Sequence, residues 1–248
     1  MGAETATLCA HVADLCRFAS RRGIPRFTVF LDEGAQAAVE NAARRADCRR
    51  MWYGGYEHAS RRLLGLFPQE QEPSAGDFPV VALRTEIPKG FTLTHRDFLG
   101  AALALGIKRE VVGDILITEE FAVLFALPQA KQLLEQELRL VGRAGVRFEE
   151  TDAAGIQYTQ RFEESQKSVA SLRLDAVTAA LLNCARSEAA GRIEQGLVSV
   201  DGFQEGKGTR LLQGGERIAV RGVGKFLVEA DGSVTRKGRQ RILIKRFV

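Results

Sequence analysis

The chain is poor in the residues that build metal centres and disulfide frameworks. Only three histidines, His11, His58 and His95, occur in 248 residues. None has a partner at metal-ligand spacing, so a protein-built zinc site is not expected. The four cysteines, Cys9, Cys16, Cys48 and Cys184, are scattered without metal or framework spacing. Cys9, Cys16 and Cys184 fall on helical patterns and are expected to pack as small apolar groups, which reads as a reducing, cytosolic compartment. No apolar run approaches the length of a membrane span. The opening MGAETATLCAHVADLC lacks a basic start followed by an apolar block, so no secretion signal is expected. Gly2 follows Met1, but Ala6 stands where the myristoylation pattern needs a hydroxyl. No cofactor and no membrane partner are expected, and a monomer is.

What is present is an ordinary globular composition, 45% hydrophobic and 27% charged, on a chain long enough for two or three domains. The charge is unevenly placed. Residues 161–248 hold 16 Lys and Arg against 10 Asp and Glu, whereas residues 1–160 hold 19 against 21. A basic final third points to a polyanionic partner for that end, nucleic acid before others, with a solvated basic surface as the plain alternative.

Three segments are expected, all α+β in class. In 1–70, a helical stripe (Leu8, Val12, Leu15, Cys16, Ala19) precedes the β-rich run FTVFL, an Ala-rich helix over 33–46 and a short strand over 49–53. After Gly54-Gly55, YEHASRRLLGLF reads as a helix stopped by Pro68. QEQEPSAG at 69–76 reads as a linker. In 77–155, FPVVALRTEI reads as a strand, Thr94 and Asp97 as a capping box opening a helix that ends near Gly106, and GDILIT and EFAVLFAL as adjacent strands. Pro128 opens a helix to about Val141, and VRFEET closes the segment as a strand. The order β-α-β-β-α-β is the ferredoxin-like split unit. RNA-recognition motifs share that order, as do many unrelated domains, and these strands lack RNA-contact aromatics. In 168–248, SLRLDAVTAALLNCA reads as a helix. A second short helix has Ser187 as N-cap and Gly196 as its left-handed end. LVSV and FQEG flank the hairpin turn Asp201-Gly202, and GERIAVRG, GKFLVEA and the basic tail TRKGRQRILIKRF read as further strands.

RLDAVTAAL, ARSEAAGRIEQGLVSVDG and GERIAVRGVGKF together resemble the RNA-binding domain of small-subunit ribosomal protein S-four. YGGYEHASRRLL (53–64) and LTHRDFLGAALALGIKREVVGDILI (93–117) resemble the two signatures of the YlmH-like family, whose final third is an S-four domain. The chain departs from that family at Ser60, usually Glu, at Ala185, usually Ser, and at Asp201, usually Asn. Asp–Gly serves the same turn, but a carboxylate at the hairpin tip is mildly repulsive to phosphate. The resemblance implies three domains: an N-terminal α/β domain over 1–70, the ferredoxin-like domain over 77–155, and an S-four-type domain of two helices on a small sheet over 168–248.

In the S-four module the second helix points its N-terminus at RNA, where free N–H groups and the dipole favour a phosphate. The candidate contacts are Arg173, Arg186, Ser187, Arg192, Lys207, Arg210, Arg221, Lys225, Arg236, Lys237, Arg239 and Arg241, whose guanidinium forks match phosphate oxygens. Tyr56, Arg61, Arg62, His95 and Arg96 are secondary candidates for RNA or a partner, with a structural role for the Tyr56–Arg62 stretch slightly favoured.

Three enzyme-like signals are weaker. His95-Arg96-Asp97 mimics a kinase HRD triplet, but Ala102 stands where the Asn is needed and no DFG follows. LRLDAVTAALL resembles a pseudouridine-synthase catalytic stretch, yet Asp175 opens the S-four-like segment with no catalytic domain after it. RGVGKF lacks the strand–GxGxxG–helix context of a dinucleotide site. With no catalytic residue proposed, the expectation is a non-enzymatic protein that binds structured ribosomal RNA and/or tRNA. The family resemblance implies a bacterial cytosolic factor on the large ribosomal subunit in ribosome-associated quality control. An RNA-modifying enzyme, pseudouridine synthase or methyltransferase, is the alternative. A further reading makes the basic end a nonspecific anchor and the front domains recruiters for division or envelope work.

Overall fold

A computed structural model describes residues 3–44, 47–57, 59–153, 162–230, 232–236 and 238–247. The chain falls into two compact units, 1–158 and 159–248.

In the first unit, α1 (Ala3–Arg22) and α2 (Glu33–Arg44) cover a three-stranded antiparallel sheet. Its strands β1 (Arg26–Phe27), β2 (Arg49–Tyr53) and β3 (Leu63–Phe67) stand in the order β1-β3-β2. Val12, Cys16, Val39 and Ala43 from the helices meet Leu64 and Leu66. The helix expected after Gly54-Gly55 is absent. Residues 59–62 are irregular, and LLGLF is the central strand β3, buried at every position. Both of its faces are covered, so its sequence carries no alternation, and a short apolar run of that kind does not distinguish strand from helix.

The rest of the unit is β4 (Val81–Glu86), α3 (His95–Ala104), β5 (Val112–Ile117), β6 (Phe121–Ala126), α4 (Pro128–Glu137), the small hairpin β7 (Leu140–Val141) and β8 (Ala144–Gly145), and β9 (Glu149–Thr151). The antiparallel order β5-β6-β4-β9 is the ferredoxin-like arrangement expected from β-α-β-β-α-β. α4 stops earlier than expected, because the chain turns at Gly142, in a left-handed conformation, to make the β7–β8 hairpin. Asp97 accepts hydrogen bonds from the Thr94 N–H and hydroxyl at 2.8 and 2.7 Å, which fixes the start of α3.

One apolar core joins Leu63 and Phe67 of the first sheet and Phe30 of the loop after β1 to Phe98 of α3 and Leu124 and Phe125 of the second sheet. Each such side chain contributes ~2–3 kcal/mol by leaving water. The Tyr56 ring stacks on Phe125 at 5.2 Å, so the N-terminal segment covers part of the second sheet's open face.

In the second unit, β10 (Phe162–Val169), α5 (Leu174–Leu182), α6 (Arg186–Glu194), β11 (Val198–Val200), β12 (Phe203–Gln204), β13 (Glu216–Val220), β14 (Gly224–Glu229) and β15 (Gln240–Phe247) follow in turn. Their antiparallel order is β10-β15-β14-β13-β11-β12. Strand β10 was not expected. Its middle residues are polar and exposed, and its ladder comes entirely from β15 at the far end of the unit. Leu174, Val177, Leu181 and Ile193 of the helices pack on Val198, Ile218, Phe226 and Ile242 of the sheet. Asp201 and Gly202 both have positive φ, 50° and 83°, as a two-residue hairpin turn with matched twist requires. Among the described residues, no helix is long and apolar enough to cross a membrane.

Candidate nucleic-acid interface

The start of α5 is tied to the loop that follows the β11–β12 hairpin. The Leu174 and Asp175 N–H groups donate to the carbonyls of Arg210 and Gly208 at 2.8 and 3.0 Å. The orphan donors of this helix end are thus used internally. Gly208 approaches so closely that an added Cβ would lie 3.1 Å from Asp175 Cβ.

Asp175 is the centre of the cluster. Arg173 Nη2 donates to its carboxylate at 2.8 Å, and Arg186 Nη2 at 2.9 Å. The carboxylate is buried, whereas the two guanidinium-bearing side chains are 34% and 49% exposed. The hydrogen bond from Arg173, reinforced by Arg186, holds the Asp175 pKa down to about 2. One buried carboxylate therefore fixes two arginines from successive helices, and the trio keeps one positive charge facing water. This arrangement leaves Asp175 as a buried partner of two cations in the first turn of α5.

Other expected residues fall around this centre with less freedom than expected. Arg210 is enclosed by Glu205 and Glu216, both at 3.2 Å, which makes it a strut of the loop. Lys207 lies on the same loop, its N–H on Glu205. Arg192 pairs with Glu188 one turn earlier on α6. Ser187 is not the N-cap. Ala185 takes that place, with φ −67° and ψ 147°, and Ser187 becomes the exposed second residue of α6. The side chain that the cap needs is missing because Ala185 stands there. Arg221 and Lys225 belong to the β13–β14 hairpin, where the Lys225 ammonium sits 5.8 Å from the Phe247 ring. Arg236 precedes β15, Arg241 is its second residue, and Arg239 donates to Ser168 O at 2.6 Å. Lys237 lies outside the described residues. Asp201 accepts a hydrogen bond from the Arg217 N–H at 2.8 Å, so its carboxylate braces the hairpin. Lys167 on β10 was not foreseen. It bonds Ala180 O at 2.9 Å and the Asn183 side chain, joining the edge strand to the end of α5.

Three secondary candidates of the first unit, Tyr56, Arg61 and Arg62, turn inward and are half-buried. Asp114 accepts from Tyr56 Oη at 2.9 Å, from the Ser60 N–H at 2.6 Å and from the Arg61 N–H at 3.2 Å. The Arg61 guanidinium donates to Val112 O and Phe30 O at 3.1 and 2.9 Å. Gly55 has φ +104°, and a Cβ there would lie 2.2 Å from the Phe125 ring. Tyr56 and Arg61 thus hold the loop onto β5. Arg62 donates to Gln36. Neighbouring Arg109 is held down to about 10, first by burial and then by the charge of Arg61. His95 is exposed at the head of α3, and partial desolvation and then the Arg109 charge lower its pKa. Arg96 is exposed on the first turn of α3.

The region around β4 and β9 adds a cleft of mixed charge that no sequence pattern announced. A cleft of about 720 Å³ is lined by Arg84, Arg139 and Arg147 together with Glu86, Glu149 and Glu150. Arg84 also lies 4.2 Å from the Phe121 ring.

Fold and sequence define an α+β RNA-binding protein. Residues 73–155, the ferredoxin-like part, match a sequence model of the family described as "Putative RNA-binding domain in YlmH". The chain is 28% identical over 223 residues to "Ribosome-associated protein quality control protein P2" of Bacillus subtilis (strain 168), covering 89% of this chain and 87% of that protein. Its fold is similar to that of "Cell division protein ylmH from Streptococcus pneumoniae", with a TM-score of 0.52 and 24% identity over 61% of this chain and 93% of that one. The chain is thus similar to YlmH-type proteins along most of its length, and its residues 73–155 match the RNA-binding domain described for them.

Proposed function

We propose that this chain is a non-enzymatic, cytoplasmic protein that binds structured RNA, ribosomal RNA and/or tRNA. The binding unit is the C-terminal one, which we read as an S-four-type domain, and the three-domain division at 1–70, 77–155 and 168–248 accompanies that reading. The carrying observation is the Arg173–Asp175–Arg186 cluster, two guanidinium groups held at the mouth of adjacent helices by one buried carboxylate. Arg192, Lys207, Arg221, Lys225, Arg236, Arg239 and Arg241 extend its field, in keeping with recognition of phosphate backbone and shape; Lys237 stays a candidate on sequence alone. The B. subtilis relative's name supports a ribosome-associated role in protein quality control; the large subunit as the binding partner and a monomeric state are parts of the proposal. The family match at 73–155 supports a second RNA contact in the first unit.

Sedimentation through sucrose gradients tests the reading. The protein is expected to travel with the large subunit, and an Arg186→Glu/Arg192→Glu variant to remain near the top. Absence of the wild type from large-subunit fractions, with unchanged migration of the variant, overturns it.

A further inference from the structure

Between β10 and α5 runs an open groove of about 670 Å³. Gln166–Val169 form one wall, and Ala176, Ala179 and Ala180 form the other. Leu174, Val177 and Leu181 point α5 into the core, with Ala180 at its margin and Ala176 and Ala179 half-buried beside it, and these short side chains leave the groove unfilled. Lys167, Arg186 and Arg239 stand on its rim, and none of its lining residues is a carboxylate. Three other clefts, beside β4 and β9, beside α4 and beside β15, each include at least one glutamate.

The three cations are anchored without being used up. Lys167 donates to Ala180 O and the Asn183 side chain, leaving one of the three N–H groups of an ammonium. Arg239 places Nε and Nη2 on Ser168, leaving the rest of its five donors. Arg186 reaches Asp175 through Nη2 and turns its other edge outward. No aromatic side chain lines the groove, so nothing there stacks a base.

We infer that this groove takes the sugar–phosphate backbone of RNA, leading a strand away from the Arg173–Asp175–Arg186 cluster along the β10 edge. The inference rests on the RNA-binding reading above and adds a contact surface to it. Arg186 belongs to both places, which makes the path continuous. An open, cationic, base-indifferent channel suits a polyanion strand.

Cys184 lines the groove and is the only cysteine after Cys48, so the wild-type chain carries its own probe. Full-length protein is alkylated with N-ethylmaleimide with and without saturating deproteinised ribosomal RNA, and each cysteine is followed by peptide mass mapping. RNA is expected to slow alkylation of Cys184 by threefold or more and to leave Cys9 unaffected. In parallel, Ala179→Glu puts a carboxylate on the groove wall, and Ala13→Glu makes the same change on exposed α1. Ala179→Glu is expected to weaken RNA binding on the order of fivefold and to reduce the salt slope by about one. Ala13→Glu is expected to change affinity less than twofold. Equal alkylation of Cys184 with and without RNA overturns the groove assignment while leaving RNA binding intact. So does equal protection by polyglutamate at matched charge, which would indicate an acidic protein partner. Failure of the wild type to bind RNA at all removes the underlying reading as well. Cys184 protection in the wild type needs no variant to fold.

Discussion

Replacing Asp175 with Asn sets positioning against bulk charge. The substitution keeps the side-chain shape and raises the net charge by one, so electrostatics alone predicts tighter RNA binding. The structure predicts the opposite, because the carboxylate is what orients Arg173 and Arg186. Its pKa near 2, against an ordinary value of 3.8, corresponds to at most ~2.5 kcal/mol of stabilisation. Solvent screening at the partly exposed arginines reduces this to ~1–2 kcal/mol. Freeing two guanidinium groups costs ordering energy on binding, and a loss of ~1.4 kcal/mol is about tenfold in affinity. Fluorescence anisotropy with labelled ribosomal RNA at several salt concentrations, beside a thermal melt, reads both effects. Equal or tighter binding by Asp175→Asn, in protein that is folded at the assay temperature, refutes the positioning role. Stability adds a pH signature. Because the folded pKa is depressed, the stabilisation is complete above about pH 4 and is lost as pH falls towards about 2. The wild type should lose stability in that window, and Asp175→Asn should show a flatter profile there.

Wild-type RNA affinity should fall with salt with a log–log slope of about −4 to −5 if about six phosphates are neutralised, and a flat response in titrations would remove the electrostatic basis of binding. Gly55→Ala combines positive φ with an overlap on Phe125 and should cost about 2–4 kcal/mol in denaturant unfolding. Thr94→Ala removes the hydroxyl from the α3 capping box and should cost about 1 kcal/mol by the same measurement. Tyr56→Phe should lower stability by about 1 kcal/mol through loss of the Asp114 hydrogen bond and leave RNA affinity unchanged. Weaker RNA binding by folded Tyr56→Phe would show that Tyr56 is a contact after all.

Local signals were the legible ones. The Thr94–Asp97 box, the Asp201-Gly202 turn and Pro128 at a helix start each act through one or two backbone units, and the structure has all three. The β-α-β-β-α-β order followed from their spacing. What could not be read depends on distant partners. β3 looks helical until both of its faces are known to be covered, and β10 looks like polar coil until β15 pairs with it. The same division applies to the site. Arginine content and helix order pointed to the α5–α6 region, but burial of Asp175 and capture of Arg210 by two glutamates are tertiary facts. The inward role of Arg61 rests on carbonyls of Phe30 and Val112, which no local pattern announces.

β15 lies inside its sheet, flanked by β10 on one side and β14 on the other. Synthesis delivers both neighbours first and the piece between them last. Until residues 240–247 emerge, β10 has no ladder and β14 shows a bare edge, two unsatisfied margins open to any extended segment nearby. Removing those eight residues should therefore do more than trim a tail, since it detaches the strand that carries Lys167 from the body it braces.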